Sequence, residues 1–295
     1  MQKIDPELLE KSVRSGVHIV TEESYGPDLL AIQNRPPAMF AWGDASVLQR
    51  PMIAVIGTRA ATTYGKAVAR KFAGAFARSG AVVLSGGALG IDAQAHEGAL
   101  EAGGPTIAVL ANGVEHAQPP KNKPLFNRIR ESGCLVSPFA VGMPALEYCF
   151  PIRNSLIAAM AKAVLLVEAP ERSGASMACT AAAELGRPVY VVPGTIDMPH
   201  FRGSHNMIRD GATLVYHPDQ VLEDLQLEPL GEEPVERDLT SVQQSIVDVL
   251  SANPQPADVI VSELGLESPE ILSELTLMEL DGVVVKTELG YSIKP

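Results

Sequence analysis

The sequence predicts an α/β protein: a Rossmann-like doubly wound parallel sheet followed by a small winged-helix domain. Three observations carry this. Short runs such as MIAVIG, AVVLSGG, PTIAVLANG, KAVLLVEA and RPVYVVPG are apolar throughout and alternate with helical stretches. Strands with no polar face are covered on both sides, as in a parallel sheet between two helical layers. Several of these runs end in glycine, which marks the turn from strand to helix. Finally, an acid- and proline-rich segment is followed by three helical patterns and a two-strand ending, DGVVVKTELGYSIKP.

Taken in order, residues 1–50 form an N-terminal extension. It holds a short helix, a strand-like HIVT, and a loop NRPPAMFAWGD in which Pro36-Pro37 opposes regular structure. Residues 51–225 form the Rossmann-like core. A helix over 64–79 carries Val68, Phe72, Ala75 and Phe76 on one face and stops at Gly80. A second helix spans about 90–102, and CLVSP and ATLVY supply further strands. Residues 226–238 read as an acidic linker, and residues 239–295 as the winged-helix-like domain, with helices near 240–251, 257–264 and 268–280.

With 46% hydrophobic and 20% charged residues, the 295-residue chain can bury one large core plus a small domain. Cys134, Cys149 and Cys179 show no CxxC spacing and no even pairing, which suits buried thiols in a reducing, cytoplasmic setting. No apolar run reaches membrane-spanning length. The net charge of −12 is unevenly spread: residues 223–295 carry −13 and the rest +1. Residues 45–91 hold six bases and no acid. That run is either a solvated helix face or a positive field for an anion.

In a doubly wound sheet the ligand lies at the carboxyl ends of the strands. The residues there are Gly57-Thr58-Arg59, Ser85-Gly86-Gly87, Ser173-Gly174 and Pro193-Gly194-Thr195. Glycine admits close approach of the backbone, and hydroxyls and a guanidinium are anion donors. Neither a full dinucleotide fingerprint nor a P-loop is present. Phe150 beside Arg153-Asn154 pairs a stacking surface with phosphate donors, a pattern that suits single-stranded nucleic acid. Catalytic and metal arrangements are poor. Asp92 and His96 lack a third ligand, so packing or capping is the better role. His200 and His205 lie in a polar stretch without metal spacing, and Cys179 reads as core. Glu168 ends an apolar strand, where it can bond N–H groups of a neighbouring loop or act as a base.

The stretches AVIGTRAATTYG, VVLSGGALGIDAQAHEGAL, FPIRNSLIAAMAKAVLLVEAPERSGAS, GRPVYVVPGT and RGSHNMIRDGATLVY together resemble the DNA-processing protein A (DprA/Smf) family. The resemblance implies a homodimeric, non-enzymatic binder of single-stranded DNA. Such a protein protects incoming strands in natural transformation and loads a RecA-type recombinase, with no cofactor. It implies strand contacts from Gly57, Thr58, Arg59, Ser85, Gly86, Gly87, Phe150, Arg153, Asn154, Ser173 and Gly174. Lys121 and Lys123 add to them. Ser155 stands where the family has a second arginine. The alternative is a nucleotide enzyme of the phosphoribohydrolase (lysine-decarboxylase-like) type, with Glu171 or Glu184 nearest to its catalytic position. The acidic winged-helix domain would repel phosphate, so protein contact suits it better than duplex binding.

Overall fold

A computed structural model describes residues 6–14, 16–227, 239–250, 254–280, 283–287 and 290–293. The chain divides into two compact units, Met1–Gly231 and Glu232–Pro295. The first opens with helix α1 (Pro6–Arg14), strand β1 (Val17–Thr21), a single helical turn α2 (Pro27–Leu30) and strand β2 (Ala38–Gly43). The alternating core follows: β3 (Met52–Ile56), α3 (Thr63–Arg78), β4 (Val82–Ser85), α4 (Ile91–Glu101) and β5 (Thr106–Val109). Next come α5 (Lys123–Ser132), β6 (Cys134–Ser137), α6 (Cys149–Met160), β7 (Ala163–Leu166) and α7 (Gly174–Glu184). The unit closes with β8 (Val189–Val191), α8 (Arg202–Arg209), β9 (Thr213–Leu214) and α9 (Pro218–Asp224).

Nine strands form one sheet in the order β1-β2-β6-β5-β4-β3-β7-β8-β9. The pairs from β6 to β9 are parallel, with Ile53 opposite Ala163 and Ala54 opposite Leu84. The order runs outward in both directions from β3, so the switch point lies between β3 and β7. Alternation along β3 sends Ile53 and Val55 to one face, with Phe72, Phe76, Ala95 and Val221, and Ala54 and Ile56 to the other, with Ile157, Ala178 and Ala182. Both faces are dry, which is why the strands read as unbroken apolar runs. On α3 the buried stripe is Ala69, Phe72, Ala73, Phe76 and Ala77, while Val68 and Ala75 are half-buried. The stripe keeps Phe72 and Phe76 of the expected face and takes in Ala69, Ala73 and Ala77 in place of Val68 and Ala75. Phe72 and Phe76 meet edge to face at 5.9 Å, and each contributes roughly 1.5–3 kcal/mol by burial.

Residues 1–50 differ from the expected extension. β2 pairs antiparallel with β6, Phe40 opposite Ser137, and β1 pairs with β2, Val17 opposite Trp42. Met39 and Ala41 are fully buried. Pro36-Pro37 ends just before β2 and so removes no ladder hydrogen bond, which is why the expected loop is a strand from Ala38 onward.

In the second unit, α10 (Ser241–Leu250), α11 (Ala257–Leu264) and α12 (Ser268–Leu280) precede the antiparallel pair β10 (Val284–Thr287) and β11 (Gly290–Ile293). Ile246, Ile260, Ile271, Leu275 and Val284 make its core. Three helices and a two-stranded wing form a winged-helix domain. Residues 228–238 of the expected linker lie outside the described residues. Among the described residues, no helix is long and apolar enough to cross a membrane.

Candidate nucleic-acid interface

At the switch point two cavities adjoin. One, of about 310 Å³, is lined by Gly57, Thr58, Arg59, Asn154, Ser173 and Gly174. The other, of about 620 Å³, runs past Gly86, Asn112, His116 and Pro119. Arg59, Ala88, Phe150 and Arg153 line both, so together they form one groove divided by those four residues.

The Gly57-Thr58-Arg59 loop joins β3 to α3. Its backbone is held by three hydrogen bonds: Thr58 N–H to the Glu168 carbonyl (2.7 Å), Ile91 N–H to the Thr58 carbonyl (3.1 Å), and Ala60 N–H to Thr58 Oγ1 (3.2 Å). Thr58 is nearly buried, while Arg59 is exposed. The Arg59 guanidinium lies 5.3 Å from the Phe150 ring centroid, a cation–π contact that holds its charge at the groove.

Phe150, Arg153 and Asn154 sit in the first turns of α6. Pro151 is tolerated there because a helix's first N–H groups have no partner to lose. The helix turns Arg153 inward: the residue is 7% exposed. One terminal nitrogen donates to the carbonyls of Gly86 (2.6 Å) and Val109 (3.2 Å), and Nε donates to Asn154 Oδ1 (3.0 Å). Burial pushes the Asp92 carboxyl up and the Arg153 guanidinium down; the two opposite charges act against those shifts. A Cβ at position 86 would run into the Arg153 guanidinium and the Asp92 carboxylate, so only glycine fits between them. Asn154 Nδ2 donates to the Gly174 carbonyl (2.9 Å), and Ser173 Oγ caps α7 by accepting from Ala175 N–H (3.2 Å).

Other candidates fall elsewhere. Ser85 is fully buried and donates to the Val55 carbonyl (2.7 Å), and Gly87 is buried. Neither offers a donor to the groove. Lys121 and Lys123 are exposed and line neither cavity. Between them Asn122 donates to the carbonyls of Gly87 and Ala88, which places this segment beside the β4–α4 loop. Pro193-Gly194-Thr195 lines a separate cavity with Thr62, Tyr64 and Phe201. Of the six bases between residues 45 and 91, Arg59 lines the groove. Arg70 is spent on Gln94 and Glu101, and Arg50 on the Gly80 carbonyl. Arg172, Asn112 and His116 line the groove and were not singled out from the sequence. An arginine in a polar loop reads as solvated unless the partner loops are known.

The remaining titratable groups have structural settings. His96 is fully buried, and burial lowers its pKa to about 3. Thr106 Oγ1 donates to the Val83 carbonyl (2.7 Å), so the 2.7 Å contact from His96 Nδ1 is the histidine's own donation. His205 lies on α8 and not in a loop, stacked on Phe201 with Nε2 3.1 Å from the Gly194 carbonyl. Cys134, Cys149 and Cys179 are free and buried, and burial pushes the Cys179 thiol up to about 12. Glu168 is fully buried and accepts from Thr62 N–H and Oγ1. It makes the loop-binding contact and lines none of the cavities described above. Glu171 and Glu184 are exposed and line neither cavity of the groove. Among the described residues, no cluster of His, Cys, Asp or Glu could hold a metal ion.

Residues 16–226 match the family model of DNA recombination-mediator protein A, and residues 230–288 match that of the DprA winged helix domain. Protein Smf of Escherichia coli is 37% identical over 286 residues, covering 93% of this chain and 76% of that protein. The structure of DNA processing protein A from Streptococcus pneumoniae superposes with a TM-score of 0.69 at 34% identity, covering 75% of this chain and 78% of that one. DNA processing protein A from Helicobacter pylori, whose structure was described for its single-stranded DNA binding mode, superposes with a TM-score of 0.65 at 25% identity. That match covers 71% of this chain and 95% of that one. A core and a winged-helix domain matched in sequence order, over nearly the full described length, place this chain in the DNA recombination-mediator protein A (DprA/Smf) family.

Proposed function

We propose that this chain binds single-stranded DNA along the switch-point groove and makes or breaks no bond in it. One observation carries the reading: an exposed arginine, stacked on Phe150, stands where two adjoining cavities meet. A sugar-phosphate chain passing from one cavity to the other crosses that guanidinium. Asn154, Ser173, Gly174 and the backbone at Gly57 and Thr58 border its path on one side, and Gly86 on the other. Arg153 supports the groove floor, and Lys121 and Lys123 extend the positive field outside it. The Helicobacter pylori relative supports the same ligand class. The family supports the wider role: protecting incoming strands and passing them, as a homodimer in the cytoplasm, to a RecA-type recombinase.

The phosphoribohydrolase alternative has less support. It needs a carboxylate aimed at a bound nucleotide, and among the described residues the one acid lining the groove, Asp92, is buried against Arg153.

The test is fluorescence anisotropy with oligo-dT and with duplex over a salt series. Oligo-dT binds and duplex does not compete. The log of affinity falls with log salt at a slope of about −0.7 per phosphate neutralised. Arg59→Ala weakens binding roughly tenfold for every sequence alike, because phosphate contacts position without specifying. Indifference to oligo-dT, or release of free base from nucleoside monophosphates, overturns the reading.

A further inference from the structure

We infer that Glu168 is the positioning residue for Arg59, an inference that rests on the strand-binding reading above. The Arg59 loop is closed at both ends by this one residue. At the start of the loop, Thr58 N–H donates to the Glu168 main-chain carbonyl (2.7 Å). At its end, Thr62 N–H (3.1 Å) and Thr62 Oγ1 (2.8 Å) both donate to Glu168 Oε2. Only Arg59, Ala60 and Ala61 lie between the two anchors. The carboxylate is fully buried, and its other oxygen lies 3.4 Å from Nδ1 of the partly exposed His200. Glu168 therefore touches no strand bound in the groove, yet it sets where the guanidinium stands.

The first turn of α3 is shaped around this contact. Thr62 Oγ1 also accepts from Gly65 N–H (3.0 Å), so the hydroxyl that caps the helix is the one that reaches Glu168. A Cβ at position 65 would collide with Glu168 Oε2 and press on the Ile91 side chain. Gly65 lies inside a helix, where glycine is disfavoured relative to alanine. Room for the carboxylate is the physical reason for it there.

Holding the loop at both ends lowers the ordering cost of strand binding, since an arginine already placed loses less freedom when it meets a phosphate. Three variants separate charge from geometry. Glu168→Gln keeps an oxygen that accepts both Thr62 donors. Glu168→Asp keeps the charge but withdraws it from Thr62. Gly65→Ala keeps the carboxylate and displaces it.

Each variant is measured for oligo-dT affinity across a salt series, alone and combined with Arg59→Ala, alongside thermal melting. Glu168→Asp and Gly65→Ala weaken binding by roughly three- to tenfold and flatten the salt slope toward that of Arg59→Ala. Glu168→Gln stays within about twofold of the parent. Combined with Arg59→Ala, neither weakening variant adds more than about twofold, because the arginine they position is gone. Val221→Ala, in the core away from the groove, controls for lost stability and leaves affinity unchanged. Gly65→Ala carries the test if the glutamate variants do not fold, since it retains the carboxylate and both Thr62 donors. If the losses multiply with Arg59→Ala, or if Glu168→Asp and Gly65→Ala bind like the parent, Glu168 is no positioning residue. If Arg59→Ala itself leaves affinity unchanged, the strand-binding reading falls, and the positioning role with it.

Discussion

Arg59 and Arg153 line the same groove with opposite exposure, and the difference assigns them different energetic roles. Arg59 is exposed and touches Phe150; Arg153 is buried and spends its N–H groups on Gly86, Val109 and Asn154. Removing Arg153 strands two carbonyls and leaves the buried Asp92 without its opposite charge. Arg153→Ala therefore lowers the urea-unfolding free energy by about 3 kcal/mol. Arg59→Ala changes it by less than about 0.5 kcal/mol, the range for exposed positions. Equal losses in the two variants would refute this division. His96 gives a pH prediction at the same scale. Its folded pKa, about 3, lies below the ordinary histidine value, so the unfolded chain binds the proton more readily. Above about pH 6.5 His96 is neutral in both states and adds no pH dependence; as pH falls from there toward 3 the unfolded chain takes up the proton first, and stability falls with it. His96→Gln, which does not titrate, shows a shallower loss of melting temperature between pH 6.5 and 4.5 than the parent protein.

At the scale of elements, the β1–β2 hairpin closes one side of the sheet. β2 covers β6 through the Phe40–Ser137 to Gly43–Cys134 register and buries Met39 and Ala41. A chain lacking residues 1–50 would expose the β6 edge and part of the apolar face. Unpaired edges of that kind associate with one another. The truncated chain therefore elutes as aggregate in size-exclusion chromatography, where a dispensable extension would leave a well-behaved core. The same scale explains α6. Phe150 and Arg153, three residues apart in its first turns, share one face of the helix, so both line the groove, Phe150 half-buried and Arg153 buried.

For the molecule as a whole, most of the excess acid lies outside the unit that holds the groove. All residues lining the groove belong to the unit Met1–Gly231, while residues 232–295 carry net −10. Acid in that segment repels phosphate at long range and is screened by salt. Removing residues 232–295 therefore leaves oligo-dT affinity unchanged or raises it, most visibly at low salt. A large loss of affinity would show that the winged-helix domain contributes strand contacts of its own.

The strand runs and their ends were legible in the sequence because burial on both faces demands continuous apolar residues and the strand-to-helix turns demand glycine. That alone placed Gly57-Thr58-Arg59 and Ser173-Gly174 at the sheet's edge, and charge counting isolated the acidic tail. What required the folded chain was direction and company. No periodicity says that Arg153 points inward, that Ser85 spends its hydroxyl on Val55, or that Pro193-Gly194-Thr195 opens onto a different cavity. Nor could it say that β2 would pair with β6 across nearly a hundred residues. Local propensity is a property of neighbours in the chain. Hydrogen-bond partners, burial of a single side chain and the meeting of Glu168 with Thr62 are properties of neighbours in space, and only tertiary packing brings those together.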